Sequence, residues 1–158
     1  RFLLGVSFGT LPYYPHYDVC NSMFTANAFI TVPIIPNLFV QMDMGIIPTP
    51  FSFGEYVNDS GLIFDFMFGA GANYRLNILG YKPNLYVSGA IGFGLSDELY
   101  SVKNPYYGES LLFLGRVSAG VDFPIGNIIT ITSDYSLWFI EDLTLASNYS
   151  VGFSIDLN

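Results

Sequence analysis

Leu62-Ile63-Phe64-Asp65-Phe66-Met67-Phe68-Gly69-Ala70-Gly71-Ala72-Asn73-Tyr74-Arg75 interleaves two chemistries. Leu62, Phe64, Phe66, Phe68, Ala70, Ala72 and Tyr74 form one set; Asp65, Met67, Gly69, Gly71, Asn73 and Arg75 form the other. Strict alternation is the period of a β-strand, whose successive side chains point to opposite faces. A helix would scatter both sets around its axis. The segment is therefore expected to be a strand with one greasy face and one face of small or polar residues.

The same alternation recurs on both sides of it. Phe2, Leu4, Val6 and Phe8 oppose Gly5, Ser7 and Gly9 over residues 2–9, and Phe24, Ala26, Ala28 and Ile30 oppose Thr25, Asn27 and Thr31 over 24–32. Over 38–46, Leu38, Val40, Met42, Met44 and Ile46 oppose Gln41, Asp43 and Gly45. Val87, Ile91 and Phe93 oppose Ser88, Ala90, Gly92 and Gly94. Leu111, Phe113, Val117, Val121 and Phe123 oppose Arg116, Ser118, Gly120 and Asp122. The last two strands set Ile129, Ile131, Tyr135, Leu137 and Phe139 against Thr130, Thr132, Asp134 and Ser136, then Tyr149, Val151, Phe153, Ile155 and Leu157 against Ser150, Gly152, Ser154 and Asp156. The count is eight.

Short connections are expected at 33–37, around Leu79-Gly80 and at 124–127, and longer ones at 12–23, 48–61, 96–110 and 140–147. Alternating short turns and long loops suit an up-and-down barrel with both chain ends on the short-turn side. No linker or second domain is visible, so residues 1–158 read as one domain.

Composition decides what surrounds the barrel. Charged residues make up 11% and hydrophobic residues 51% of the 158, where a typical soluble domain carries about 25% charge. The longest uncharged stretch, beginning at Val19, is broken by Asn21, Ser22, Asn27, Pro33, Pro36 and Asn37, whereas a spanning helix needs about 20 mostly apolar residues. Apolar composition without such a helix leaves the closed barrel, the other structure that satisfies every backbone group in lipid. A lipocalin-like soluble barrel would invert the faces, but a set of Gly, Ser, Ala and Thr is a poor solvent face. Small residues suit a narrow lumen. The expected fold is all-β, an eight-stranded antiparallel up-and-down transmembrane β-barrel.

The C-terminal segment Ser150-Val151-Gly152-Phe153-Ser154-Ile155-Asp156-Leu157 carries the most specific likeness. With the eight-strand pattern it resembles the small outer-membrane barrel superfamily that includes the OmpA transmembrane domain, OmpX and OmpW. In that family a polar-x-Gly-x-x-apolar-x-apolar end strand is an assembly signal, and Ser150, Gly152, Ile155 and Leu157 match it. This chain ends Leu157-Asn158 where the family often ends on an aromatic. The resemblance implies a bacterial outer-membrane location with both termini periplasmic, contact with outer-membrane lipid, and insertion by the barrel-assembly machinery. It also implies that a lipid-modifying enzyme pairing a His with a Ser is an alternative.

The chain opens Arg1-Phe2 with no secretory leader, so a mature or trimmed form is expected. Cys20 stands alone and forms no internal disulfide. The net charge of −8 argues against nucleic acid. His16, the sole histidine, has Ser52 and Ser60 as conceivable partners, but no local motif positions them, so no catalytic residue is assigned. The loop carboxylates Asp18, Glu55, Asp59, Asp97, Glu98, Glu109, Glu141 and Asp142 lack metal-ligand spacing, and neither metal nor cofactor is expected. Asp43, Asp65, Asp122, Asp134, Arg75 and Arg116 are expected to form a polar network in the lumen. Arg116 should pair with Asp134 if the turn at 124–127 sets a cross-strand index sum of 250 or 252. The function read from this is a non-enzymatic membrane scaffold whose Tyr-rich loops could bind a partner protein. An OmpW-like conduit for small apolar molecules is the other alternative, disfavoured by a Gly/Ser/Asp lumen.

Overall fold

The computed structural model describes residues 2–11, 23–47, 51–53, 56–58, 63–95, 99–101, 104–108, 111–140 and 144–157. The described residues form twelve strands: β1 (Leu3–Leu11), β2 (Met23–Ile35), β3 (Leu38–Ile47), β4 (Phe51–Phe53), β5 (Tyr56–Asn58), β6 (Ile63–Arg75), β7 (Asn84–Leu95), β8 (Leu99–Ser101), β9 (Asn104–Gly108), β10 (Leu111–Ile125), β11 (Ile129–Ile140) and β12 (Thr144–Asp156). Eight of them close into a barrel in the order β1-β2-β3-β6-β7-β10-β11-β12 and back to β1. Every pairing is antiparallel. Closure is made by β1 on β12, with Val6 opposite Phe153 and Gly9 opposite Ser150. No helix of the described residues is long and apolar enough to cross a membrane.

The two side-chain sets sort as the alternation requires. Phe68, Val87 and Ile91 stand outward at 57%, 59% and 62% exposure, while Asp43, Ser136 and Ser154 point inward at 1–2%. Gly5, Gly45, Gly92 and Gly152 are inward as well. At Gly92 the need for glycine is steric: a methyl group would run into the backbone of Phe66 and Met67 on the neighbouring strand.

The turn end is tighter than the sequence reading had it. Strand β2 continues through Ile35 and β10 through Ile125, leaving Pro36-Asn37 and residues 126–128 as the turns. Asn37, Leu79, Gly80 and Gly126 carry the positive φ angles of these turns. Pro33 and Pro124 had suggested connections, but both lie past the last partner on one flanking strand, Leu3 of β1 for Pro33 and Asn84 of β7 for Pro124. A strand tolerates a missing N–H where no ladder runs on that side.

The loop end departs further. Segments 48–61 and 96–110, expected as loops, contribute β4, β5, β8 and β9 to a second, four-stranded sheet. Phe53 pairs with Tyr56, and Val57 with Tyr100. The connection expected over 140–147 shrinks to 141–143. Asn148, which the sequence reading assigned to neither the connection nor the last strand, lies within β12. It is polar because it faces the lumen, 2% exposed and 3.5 Å from the Thr25 hydroxyl, which donates to its Oδ1.

The outward face can be tested directly. Phe68 lies in the middle of β6, and Phe68→Arg should cost about 2–4 kcal/mol near a bilayer midplane and lower the folded fraction in urea titrations on vesicles. Ser88→Thr, inside the barrel, should leave it unchanged. Equal folding of both variants would reverse the assignment of faces.

Candidate functional site

Chemistry in this barrel concentrates in the lumen, because that is where the alternation sends every described charged residue of the strand interiors. Arg116 on β10 lies opposite Trp138 on β11 and Ala90 on β7. Its Nη2 donates to Asp43 Oδ2 on β3 at 2.5 Å, an ion pair thrown across the lumen with both side chains buried. Gln41 Nε2 donates to the other Asp43 oxygen at 2.7 Å. The guanidinium lies 5.4 Å from the Trp138 ring centroid, within cation–π range. Trp138 in turn donates its indole N–H to Ser136 Oγ at 3.1 Å. A buried ion pair is tolerable only with its remaining polar atoms occupied, and Gln41 supplies part of that.

Asp134 does not receive Arg116. The β10–β11 index sum is 254, with Ile125 opposite Ile129, so Gly120 is the residue facing Asp134. The sum is even, as two inward-facing sets require. It exceeds 250 and 252 because the ladder runs through Pro124 and Ile125 to a turn of residues 126–128. Asp134 instead accepts the Tyr86 hydroxyl at 2.8 Å, and Tyr86 packs edge-on against Phe39 at 6.3 Å. Asp122 accepts Thr132 Oγ1 at 2.8 Å. Asp65 is buried in the lumen with no hydrogen-bond partner on either oxygen. Arg75 sits exposed at the turn-end rim. In β12, Ser150 and Gly152 are buried and Ile155 is exposed, Leu157 is exposed just past the strand's end, and the strand is paired on both sides by β11 and β1.

The lumen is more than the Gly/Ser/Asp interior expected. Met67, Leu114 and Trp138 fill it in the loop-side halves of β6, β10 and β11, at 0%, 1% and 2% exposure. Parity would have placed Leu114, Trp138 and Tyr86 inside, since each is even-numbered like Arg116, Ser136 and Ser88 on its own strand. They are the exceptions in otherwise small, polar series, and composition drew the eye away. Beneath them a cavity of about 620 Å³ opens at the turn end, with Arg75, Lys82 and Pro36 at its mouth and Asn27, Asp43 and Arg116 at its deep end. His16, Ser60, the loop carboxylates Asp18, Glu55, Asp59, Asp97, Glu98, Glu109, Glu141 and Asp142, and the Ser52 side chain lie outside the described residues. Among the described residues no three His, Cys, Asp or Glu side chains gather as a metal centre.

A double-mutant cycle measures the central pair. Asp43→Ala should cost about 3–5 kcal/mol by leaving a buried guanidinium unpaired, and clearly less in an Arg116→Met background. Additive losses in urea unfolding would show that the two do not interact.

No protein-family model matches the sequence, and no curated protein sequence matches it either. Solved structures do. Neisserial surface protein A (NspA) is similar at a TM-score of 0.64 and 10% identity, covering 98% of this chain and 96% of that one. Ail, the attachment invasion locus protein of Yersinia pestis, solved with the heparin analogue sucrose octasulfate, gives 0.61 and 15%, covering 98% and 95%. The outer membrane enzyme PagL gives 0.56 and 13%, covering 98% and 99%. At such identities the likeness is one of fold: the chain folds as the small eight-stranded transmembrane β-barrels of bacterial outer membranes do.

Proposed function

We propose that this protein is a non-enzymatic outer-membrane anchor that presents a binding platform for a protein partner at its loop end. The observation that carries the reading is the second sheet. Two successive loop segments, which need only connect barrel strands, are joined through the β5–β8 pairing into one four-stranded unit. Ordering that much backbone is costly, and a pore or a passive plug has no use for it. In this reading both termini lie in the periplasm, the platform faces outward, and Ser150, Gly152, Ile155 and Leu157 are the strand read by the assembly machinery.

The other readings have less support. A conduit needs a passage at the loop end, whereas the large side chains there are fully buried and fill the lumen. The likeness to PagL is of fold and brings no catalytic residue to this chain. Ail was solved with a sulfated sugar analogue, but a chain of net charge −8 is a poor match for a polyanion.

Barrel protein in mild detergent should migrate differently in SDS before and after boiling, because a closed ring leaves no edge to open. It should retain a stoichiometric protein partner that is lost when residues 51–58 and 99–108 are replaced by Gly-Ser linkers. Three outcomes would overturn the proposal: a soluble monomer without detergent, steady ion current in planar bilayers, or turnover of a lipid substrate abolished by His16→Ala.

A further inference from the structure

The cross-strand register lines up three lumen positions in one row: Asn27 on β2 opposite Gly45 on β3, and Gly45 opposite Asp65 on β6. Gly45 has no side chain, so the row contains a slot. Both flanking side chains lean into it, since a methyl group on Gly45 would collide with Asn27 Oδ1 and Asp65 Oδ2. Two acceptor oxygens therefore converge on one spot. Asp65 is 3% exposed and Asn27 7%. Neither Asp65 oxygen nor Asn27 Oδ1 has a hydrogen-bond partner. An ionised carboxylate and an amide oxygen buried together without a donor are expensive to maintain.

The surrounding charge makes the shortage larger. Among the described residues of the deep lumen, Asp43, Asp65 and Asp134 face a single cation, Arg116. Its Nη2 is engaged by Asp43, its buried Nε donates to no partner and so does not reach Asp65, and Asp134 takes the neutral Tyr86 hydroxyl. From these observations we propose that the lumen binds a monovalent metal cation, of the sodium or potassium class, between Asp65 and Asn27 over Gly45. Hard oxygen donors suit such an ion. Single charge is favoured over double because the Arg116 guanidinium is close by and, among the described residues of the deep lumen, only the Asp65 carboxylate lacks a partner, whereas calcium takes about 6–8 oxygen ligands. Of the three residues of the row, Asn27 lines the deep end of the cavity that opens at the turn end, so an ion would approach the slot from the Asn27 side. The ion completes the electrostatics of the wall, and its site is separate from the loop platform.

The test uses the folded barrel in detergent at neutral pH and fixed ionic strength, exchanging N-methylglucamine chloride stepwise for sodium or potassium chloride. The proposal expects Tm to rise saturably with the metal cation. Asp65→Asn should abolish that rise. Asn27→Asp should shift its midpoint to about tenfold lower cation concentration, the order of effect of one added charge beside an ion. Sodium-23 relaxation on the unmutated barrel, with potassium as competitor, reads the site without any variant. Equal Tm in both salts would overturn the proposal, as would a rise that survives Asp65→Asn or an unmoved midpoint in Asn27→Asp. So would a carboxylic-acid infrared band that disappears in Asp65→Asn, since a proton on Asp65 would then hold the place of the ion. Loss of the cation effect leaves the binding platform untouched, and loss of the partner leaves this site untouched.

Discussion

Closure of the ring by β1 against β12 is the constraint on which everything else rests. A backbone in hydrocarbon must satisfy each N–H and C=O within the protein, and a sheet can do that only by abolishing its edges. Once eight strands are joined in a circle, each side chain points either out to lipid or in to a lumen too narrow for free choice. The outward positions are then free to be Phe, Leu, Ile and Val in almost any order. The inward ones are not.

Inside, volume and charge have to balance in a small space. Glycine at position 92 lets the backbone of β6 come close, and Met67 and Leu114, which flank it on β6 and β10, occupy the space so released. The ion pair of Arg116 and Asp43 ties strands that are not neighbours in the ring, which backbone hydrogen bonds cannot do. The cation–π contact of Trp138 with the guanidinium joins the polar layer to the apolar fill above it. The result is an asymmetric lumen, packed toward the loops and open toward the turns.

The packed half of the lumen and the second sheet lie at the same end of the barrel. The second sheet grows from the connections between β3 and β6 and between β7 and β10. Those are adjacent hairpins on the barrel rim, so their strands meet without long chain excursions.

The sequence by itself determined the eight barrel strands, the closed topology and the sorting of faces, because alternation is a local property that each of those strands writes in its own residues. It also named Arg116, Asp43, Asp65, Asp122 and Asp134 as lumen residues, since parity is all that requires. Which of them meet was decided only by tertiary structure. Partners across a lumen depend on the register of every intervening pair, and a small change in one turn, as at 126–128, moved Asp134 away from Arg116. Asp43 reached Arg116 from a strand three places away around the ring, a relation with no trace in sequence spacing. The same is true of the row Asn27–Gly45–Asp65 and of the sheet built from two loops. Each depends on how separate segments come into register, and no single segment records that.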